Sequence, residues 1–108
     1  IADVTAECIK KSLTNADLAG IYNIVPSGET NWCDYARLIV RVASKLGKSM
    51  TLSPEDITGV TTAEYQTPAT RPLNSRLSAA KLKHDFGLDL PHWECGVSAT
   101  VKSILSLE

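Results

Sequence analysis

The sequence has 108 residues, of which 44% are hydrophobic and 21% charged, a composition typical of one soluble globular domain or part of one. Its 11 basic residues nearly balance 12 acidic residues, and the net charge of −1 argues against a nucleic-acid-binding module or a polybasic membrane anchor. No apolar run approaches the ~20 residues of a membrane-spanning helix. We therefore expect a cytoplasmic protein without a signal peptide that binds neither nucleic acid nor membranes.

The N-terminal part predicts a helix and then a buried strand. Ala2, Ala6, Ile9 and Leu13 recur at helical spacing and define one apolar face. Residues 20–26 are apolar on both faces, as in a strand inside a parallel sheet, and such a strand needs neighbours. Because few other strands are predicted and the chain starts without Met, we expect the C-terminal part of a larger α/β protein.

The strongest helical pattern lies in residues 32–46. Thr30 or Asn31 is expected to cap its start, and Gly47 is expected to follow its end. Its apolar residues all recur on one face and are predicted to face the core: Trp32, Tyr35, Ala36, Ile39, Val42, Ala43 and Leu46.

The pattern is weaker further along the chain. Capped turns are predicted at 53–56 and 61–64, and short strands at 57–60 and 73–77. Ser78 is expected to cap a helix that carries Ala79, Leu82 and Phe86 and stops at Gly87. A last helix follows Pro91, with its apolar face formed by Trp93, Val97, Val101, Ile104 and Leu105.

Cysteines and histidines offer no site chemistry in this sequence. Cys8, Cys33 and Cys95 are odd in number, widely spaced and without a C-x-x-C pair, so free buried thiols are predicted. His84 and His92 lack a partner at metal-ligand spacing, and we interpret both as surface residues near helix ends.

The connector at 67–77 is one of two candidate ligand-binding segments. Proline on either side of Arg71 stiffens the backbone, and a guanidinium on a rigid segment suits a bidentate contact with phosphate. Asn74 and Ser75 add polar donors nearby. The alternative is a solvated loop in which Arg71 or Arg76 pairs with an acidic side chain.

The loop at 27–30 is the other candidate. It follows the predicted strand, and open α/β sheets bind ligands at the carboxyl ends of their strands. Gly28 and Glu29 are its candidate residues, although a simple strand-to-helix turn would have a similar sequence. The common phosphate-binding and serine-hydrolase motifs, G-x-G-x-x-G, G-x-x-x-x-G-K-[ST] and G-x-S-x-G, are absent.

Four ordered blocks, at 20–25, 28–36, 65–77 and 86–93, together resemble the C-terminal third of the dTDP-4-dehydrorhamnose reductases. That family belongs to the extended short-chain dehydrogenases, and the resemblance covers essentially the whole chain. It implies an α/β fold in which residues 1–26 are the last helix and strand of a Rossmann half. Residues 27–108 would form a small, mainly helical substrate-binding lobe.

The resemblance also implies an activity for the whole enzyme. It would reduce dTDP-4-dehydro-L-rhamnose to dTDP-L-rhamnose with NADPH, for bacterial lipopolysaccharide and O-antigen synthesis. The Tyr-x-x-x-Lys pair and the glycine-rich cofactor motif of such enzymes are missing here, since Tyr22, Tyr35 and Tyr65 have no lysine four residues later. No catalytic or cofactor-binding residue is therefore expected, and NADPH would bind the remainder of the chain, an N-terminal half outside this sequence. The fragment alone is expected to be inactive.

Substrate binding is what the resemblance leaves to this chain. Arg71 matches an arginine that contacts the nucleotide-sugar diphosphate in extended short-chain dehydrogenases, with Asn74, Ser75, Gly28 and Glu29 as further candidates. Trp32 lies in the same family block as Gly28 and Glu29 and is also a candidate for the cleft, although core packing is its favoured role. A role for Mg²⁺ and a homodimer both stay open. Two alternative functions also remain: a non-catalytic relative that acts as a regulatory subunit of methionine adenosyltransferase, and a ligand-free interaction domain.

Overall fold

The computed structural model describes residues 1–65 and 67–106. This part of the chain forms four α-helices: α1 (Ala2–Ser12), α2 (Trp32–Lys45), α3 (Ala80–Phe86) and α4 (Trp93–Leu105). Two short 3₁₀-helices lie at Ala16–Leu18 and Pro54–Asp56. The chain divides into two compact units, one made of residues 1–27 and 76–92, and the other of residues 28–75 and those from 93 onward.

The predicted strands at 20–26, 57–60 and 73–77 do not form. Within the described residues, β pairing is limited to one isolated parallel bridge between Ser27 and His92, where the Ser27 amide donates to the Pro91 carbonyl over 3.2 Å. A strand is stable only where neighbouring strands satisfy its backbone, and residues 1–65 and 67–106 bring no such neighbours to these segments. The described fold is therefore mainly helical.

The core of the first unit lies around α3. Leu82 is fully buried, and Phe86 and Leu90 pack with it. The partly buried apolar residues around this cluster come from α1, from residues 18–24 and from the segment after α3: Val4, Cys8, Leu18, Tyr22, Ile24 and Leu88. Gly87 ends α3 with a φ of +64°, a left-handed conformation that favours glycine, so the predicted end of this helix is confirmed.

The buried face of α1 differs from the predicted one. Val4 and Cys8 pack on the core, whereas Ile9 is 58% exposed and Leu13 82% exposed. The helix carries apolar residues on two faces, and periodicity alone does not show which face meets the α3 cluster. The predicted helix is confirmed, but the assignment of Ile9 and Leu13 to its buried face is wrong.

Tyr22 fastens the extended segment 20–25 to α3. Its hydroxyl donates to Asp85 Oδ2 over 2.9 Å, and its ring meets Phe86 edge-to-face at 5.0 Å. The other Asp85 oxygen lies 2.7 Å from His84 Nδ1. The hydrogen bond with His84, and then that with Tyr22, lower the pKa of Asp85, while desolvation, and then the hydrogen bond to Asp85, raise the pKa of Tyr22.

The second unit is built on the packing of α2 against α4. Val40 and Ala43 of α2 are buried, as is Val97 of α4. The predicted cap is Asn31, whose side chain accepts a hydrogen bond from the Asp34 amide at 2.9 Å. Gly47, with a φ of +86°, follows the helix as predicted.

Arg37 connects α2 to the segment that was predicted to be a strand at 57–60. Its guanidinium donates twice to the Ile57 carbonyl, from Nε at 3.1 Å and from Nη2 at 2.8 Å. This contact satisfies a carbonyl that a sheet would otherwise have used. The capped turns on either side are confirmed, since Asp56 accepts from the Ser53 amide and Glu64 accepts from the Thr61 amide.

The cysteines are free thiols, as predicted. Cys8 and Cys33 are half-buried, but Cys95 is exposed, so its predicted burial is wrong. Cys95 belongs to α4, and its neighbour Val97, not Cys95, faces the core. None of the helices in residues 1–65 and 67–106 is long and apolar enough to cross a membrane.

We predict that Leu82→Ala lowers the free energy of unfolding by about 2–5 kcal/mol, because it opens a cavity at the best-buried position of the first unit. Urea denaturation measures the change. Leu73→Ala is the matched control, since Leu73 is 89% exposed and its truncation should change stability by less than about 0.5 kcal/mol. Equal effects of the two substitutions would contradict the described core.

The Asp85 contacts predict a pH dependence of stability. Because the folded-state pKa of Asp85 is lowered, its contribution is present at neutral pH and is lost as pH falls below the ordinary value of 3.8 through the folded pKa. Asp85→Asn should therefore destabilise the protein more at pH 7 than at pH 3, as measured by urea denaturation at each pH. Glu7→Gln removes the same charge from the exposed side of α1, and its effect on the free energy of unfolding should be nearly the same at pH 7 and pH 3. A penalty for Asp85→Asn that is the same at both pH values would rule out this account.

Candidate functional site

The loop before α2 holds two of the predicted site residues on a defined backbone. Gly28 has a φ of +85°, which a residue with a side chain adopts only with strain. Glu29 is exposed, and Asn31 then caps the helix. The turn therefore fixes the direction of the backbone into α2 and presents the Glu29 carboxylate on the surface.

The connector that follows residue 66 holds the other three predicted residues. Arg71, Asn74 and Ser75 are all exposed. Within the described part of the chain, no hydrogen bond or ion pair engages the Arg71 guanidinium, which does not support the alternative of an Arg71 pair with an acidic side chain. Locally, the Thr67 hydroxyl donates to the Ala69 carbonyl over 2.8 Å and helps to shape the chain before Pro72.

All five predicted site residues belong to the second compact unit. They lie on two exposed loops, with Gly28 and Glu29 on one and Arg71, Asn74 and Ser75 on the other. Their assignment to a single binding site stays a prediction.

An aromatic cluster lies in the same unit, and of its members only Trp32 was considered for the cleft, with core packing as the favoured prediction. We name Trp32, Tyr35 and Trp93 the aromatic trio: Trp32 meets Tyr35 edge-to-face with ring centroids 6.0 Å apart, and Tyr35 stacks on Trp93 at 6.0 Å. Trp32 is 79% exposed, so its predicted role in the core is wrong. Trp32 is the first residue of α2, whereas the buried residues Val40 and Ala43 lie further along the helix. Helical periodicity predicts which face is apolar, but it does not show how far along the helix that face is covered.

The first unit has an open apolar depression of about 410 Å³ that includes none of the predicted site residues. Cys8, Ile9 and Leu13 line one side, and Tyr22 and Phe86 line the other. The lining contains few polar atoms, so the depression offers little to a charged ligand.

The described residues contain no group of three His, Cys, Asp or Glu side chains arranged to hold a metal ion. The His84 side chain is 88% exposed, and it pairs with Asp85. This agrees with its interpretation as a surface residue.

Comparison with known proteins identifies the class of this chain. Residues 1–106 match the family model described as the RmlD substrate binding domain, and the chain belongs to that family. Curated relatives carry the name dTDP-4-dehydrorhamnose reductase. The protein of Escherichia coli (strain K12) is 41% identical over 106 residues, which are 98% of this chain and 35% of the relative.

Two further relatives with that name come from other bacteria. The Salmonella typhimurium (strain LT2) protein is 44% identical over 97 residues, covering 90% of this chain and 32% of the relative. The Burkholderia thailandensis protein is 34% identical over 110 aligned residues, covering 98% and 37% respectively. The chain thus spans about a third of the length of the curated relatives it matches. The predicted family resemblance is confirmed.

The cap of α2 yields a test of the loop geometry. Asn31→Ala should lower the free energy of unfolding by about 0.5–2 kcal/mol, because it removes the acceptor of the Asp34 amide. Asn31→Ser retains a side-chain acceptor for the Asp34 amide without placing a second carboxylate beside Asp34, and it should restore most of the loss in thermal or urea unfolding. Thr30→Ala is the control, since the Thr30 hydroxyl donates only to the Asn31 carbonyl. A larger loss of stability for Thr30→Ala than for Asn31→Ala would show that Asn31 is not the cap of α2.

Proposed function

We propose that this chain is the substrate-binding part of an NADPH-dependent reductase that converts dTDP-4-dehydro-L-rhamnose into dTDP-L-rhamnose. The proposal is carried by the family match over residues 1–106 together with relatives that bear the reductase name. In that role the chain would recognise the nucleotide sugar, and it would operate in the cytoplasm as part of dTDP-rhamnose supply for surface polysaccharide.

Arg71 would bind the diphosphate. Its guanidinium is exposed and unengaged by the described residues, so binding a phosphate would break no ion pair within them. A planar guanidinium donates two parallel hydrogen bonds to phosphate oxygens, and the flanking prolines limit the entropy lost on binding. Asn74, Ser75, Gly28 and Glu29 would orient the sugar and the rest of the nucleotide.

The chemical step would depend on residues outside this chain. NADPH supplies the hydride in such a reductase, but the sequence has neither the glycine-rich motif that fits this cofactor nor a Tyr-x-x-x-Lys pair. No proton or hydride transfer is therefore assigned to a residue of this chain. Its contribution would be to hold the substrate in a fixed position, which lowers the entropic part of the barrier.

Residues 1–26 would belong with a Rossmann half and 27–108 with the substrate lobe, which together would give an α/β fold. Large apolar side chains near the start of the chain support this division. Ile1 is 77% exposed, Leu13 82% and Ile21 89%, and a surface of this kind suits coverage by other chain segments. The alternatives of a methionine adenosyltransferase subunit or a ligand-free domain gain no support from the relatives described above. A requirement for Mg²⁺ and a homodimer stay open.

The test is the affinity for dTDP of a full-length reductase that contains this segment. Arg71→Ala should weaken binding by roughly 10- to 150-fold, as expected for the loss of charged hydrogen bonds worth about 1.5–3 kcal/mol. Arg71→Lys should bind with intermediate affinity, because an ammonium keeps the charge but loses the bidentate geometry. Isothermal titration calorimetry measures the dissociation constant of dTDP for the unaltered protein, Arg71→Ala and Arg71→Lys.

Arg41→Ala is the matched control, since Arg41 is an exposed arginine on α2 outside both candidate loops. It should leave the affinity for dTDP within about twofold. If Arg71→Ala and Arg41→Ala bind dTDP as well as the unaltered protein does, the role proposed for Arg71 fails. If the unaltered protein does not bind dTDP at all, the proposed function itself fails.

A further inference from the structure

Trp32 is an exposed aromatic residue at the start of α2. Its side chain is 79% exposed, although an indole is among the costliest surfaces to leave in water. It is the first residue of α2, directly after the Asn31 cap and close in sequence to Gly28 and Glu29. Tryptophan is enriched at contacts with partners because its ring combines a large apolar face with a polar N–H group.

The aromatic trio fixes the orientation of this ring. Trp32 and Tyr35 meet with an interplanar angle of 76°, and Tyr35 stacks on Trp93 with an angle of 27°. In an edge-to-face pair at most one face of the indole touches its neighbour, so Tyr35 leaves another face uncovered. Tyr35 in turn stacks on Trp93 of α4, so the ring that supports Trp32 is held between two packed helices and would move little when a ligand binds.

Arg71 would bind only one part of the proposed substrate. A dTDP-sugar carries a diphosphate, which suits a guanidinium, and a thymine base, which suits a flat apolar surface. Nucleobases stack on aromatic side chains, and such contacts tolerate any base because each has a π-face. The second unit has another strongly exposed aromatic, Tyr65 at 68%, but Tyr65 has no ring contact with the described residues.

We propose that Trp32 is the stacking surface for the base of the nucleotide substrate, supported from behind by Tyr35 and Trp93. This inference rests on the proposed function and deepens it, since it adds a subsite for the base to the phosphate contact of Arg71. The occupant is the thymine ring of dTDP. Stacking contributes affinity for the nucleotide, whereas the sugar and the diphosphate depend on other residues.

Calorimetric titration of dTDP into the full-length reductase tests the subsite. Trp32→Ala should weaken dTDP binding by about 5- to 150-fold, the range measured when an aromatic partner of a base is removed. Trp32→Phe keeps a π-face and should retain most of the affinity. Trp32→Leu keeps apolar bulk without a π-face and should bind more weakly than Trp32→Phe does.

Tyr65→Ala is the matched control, because it removes the other exposed aromatic of the same unit. It should leave the affinity for dTDP within about twofold. Thermal unfolding of each variant identifies loss of fold, and the comparison of Phe with Leu at position 32 still decides the question if Trp32→Ala does not fold. The π-face is required if Phe binds more tightly than Leu.

Two results would overturn the inference while leaving the proposed function intact. In the first, the unaltered protein binds dTDP and Trp32→Leu binds as tightly as Trp32→Phe. In the second, Trp32→Ala lowers thermal stability or alters the oligomeric state with unchanged dTDP affinity, which would assign Trp32 to contact with another part of the protein or a second copy. Absence of dTDP binding by the unaltered protein would instead refute the proposed function.

Discussion

The packing of α2 against α4 is the interaction on which the second unit depends. Val40 and Ala43 of α2 and Val97 of α4 are buried in this unit, and the Arg37 guanidinium binds the Ile57 carbonyl and so holds the chain at Ile57 to α2. The candidate loops at 27–30 and 67–77 do not contribute buried residues to this unit. A rigid helical support that carries exposed loops is the arrangement in which ligand-binding residues are commonly found.

The two units differ in the kind of surface they leave exposed. In the first, apolar side chains such as Leu13 and Ile21 remain in water, and a depression beside α1 is lined mainly by apolar atoms. In the second, the exposed groups include the Arg71 guanidinium, which is a cation, and the Trp32 ring, which is flat and apolar. A nucleotide has one anionic part and one flat apolar part, and the proposed site assigns the first to Arg71 and the second to Trp32.

Local signals in the sequence predicted much of the fold because their physics is local. All four helices were expected, as were the Asn31 cap, the glycine ends at Gly47 and Gly87, and both capped turns. The predicted strands did not form, since a strand depends on partners that lie far away in the sequence or outside it. The family resemblance placed the chain correctly because it used ordered residue blocks across the whole length.

The sequence by itself determined that four helices form, which residues cap α2 and end α2 and α3, and to which family the chain belongs. Only the tertiary structure decided which apolar face of α1 is buried, that Trp32 is exposed on Tyr35, and that Arg71 is not engaged by an acidic neighbour within the described residues. The physical reason is that capping and periodicity depend on residues within one or two turns. Burial depends on which distant surfaces meet, and a single helix pattern holds no information about its partner.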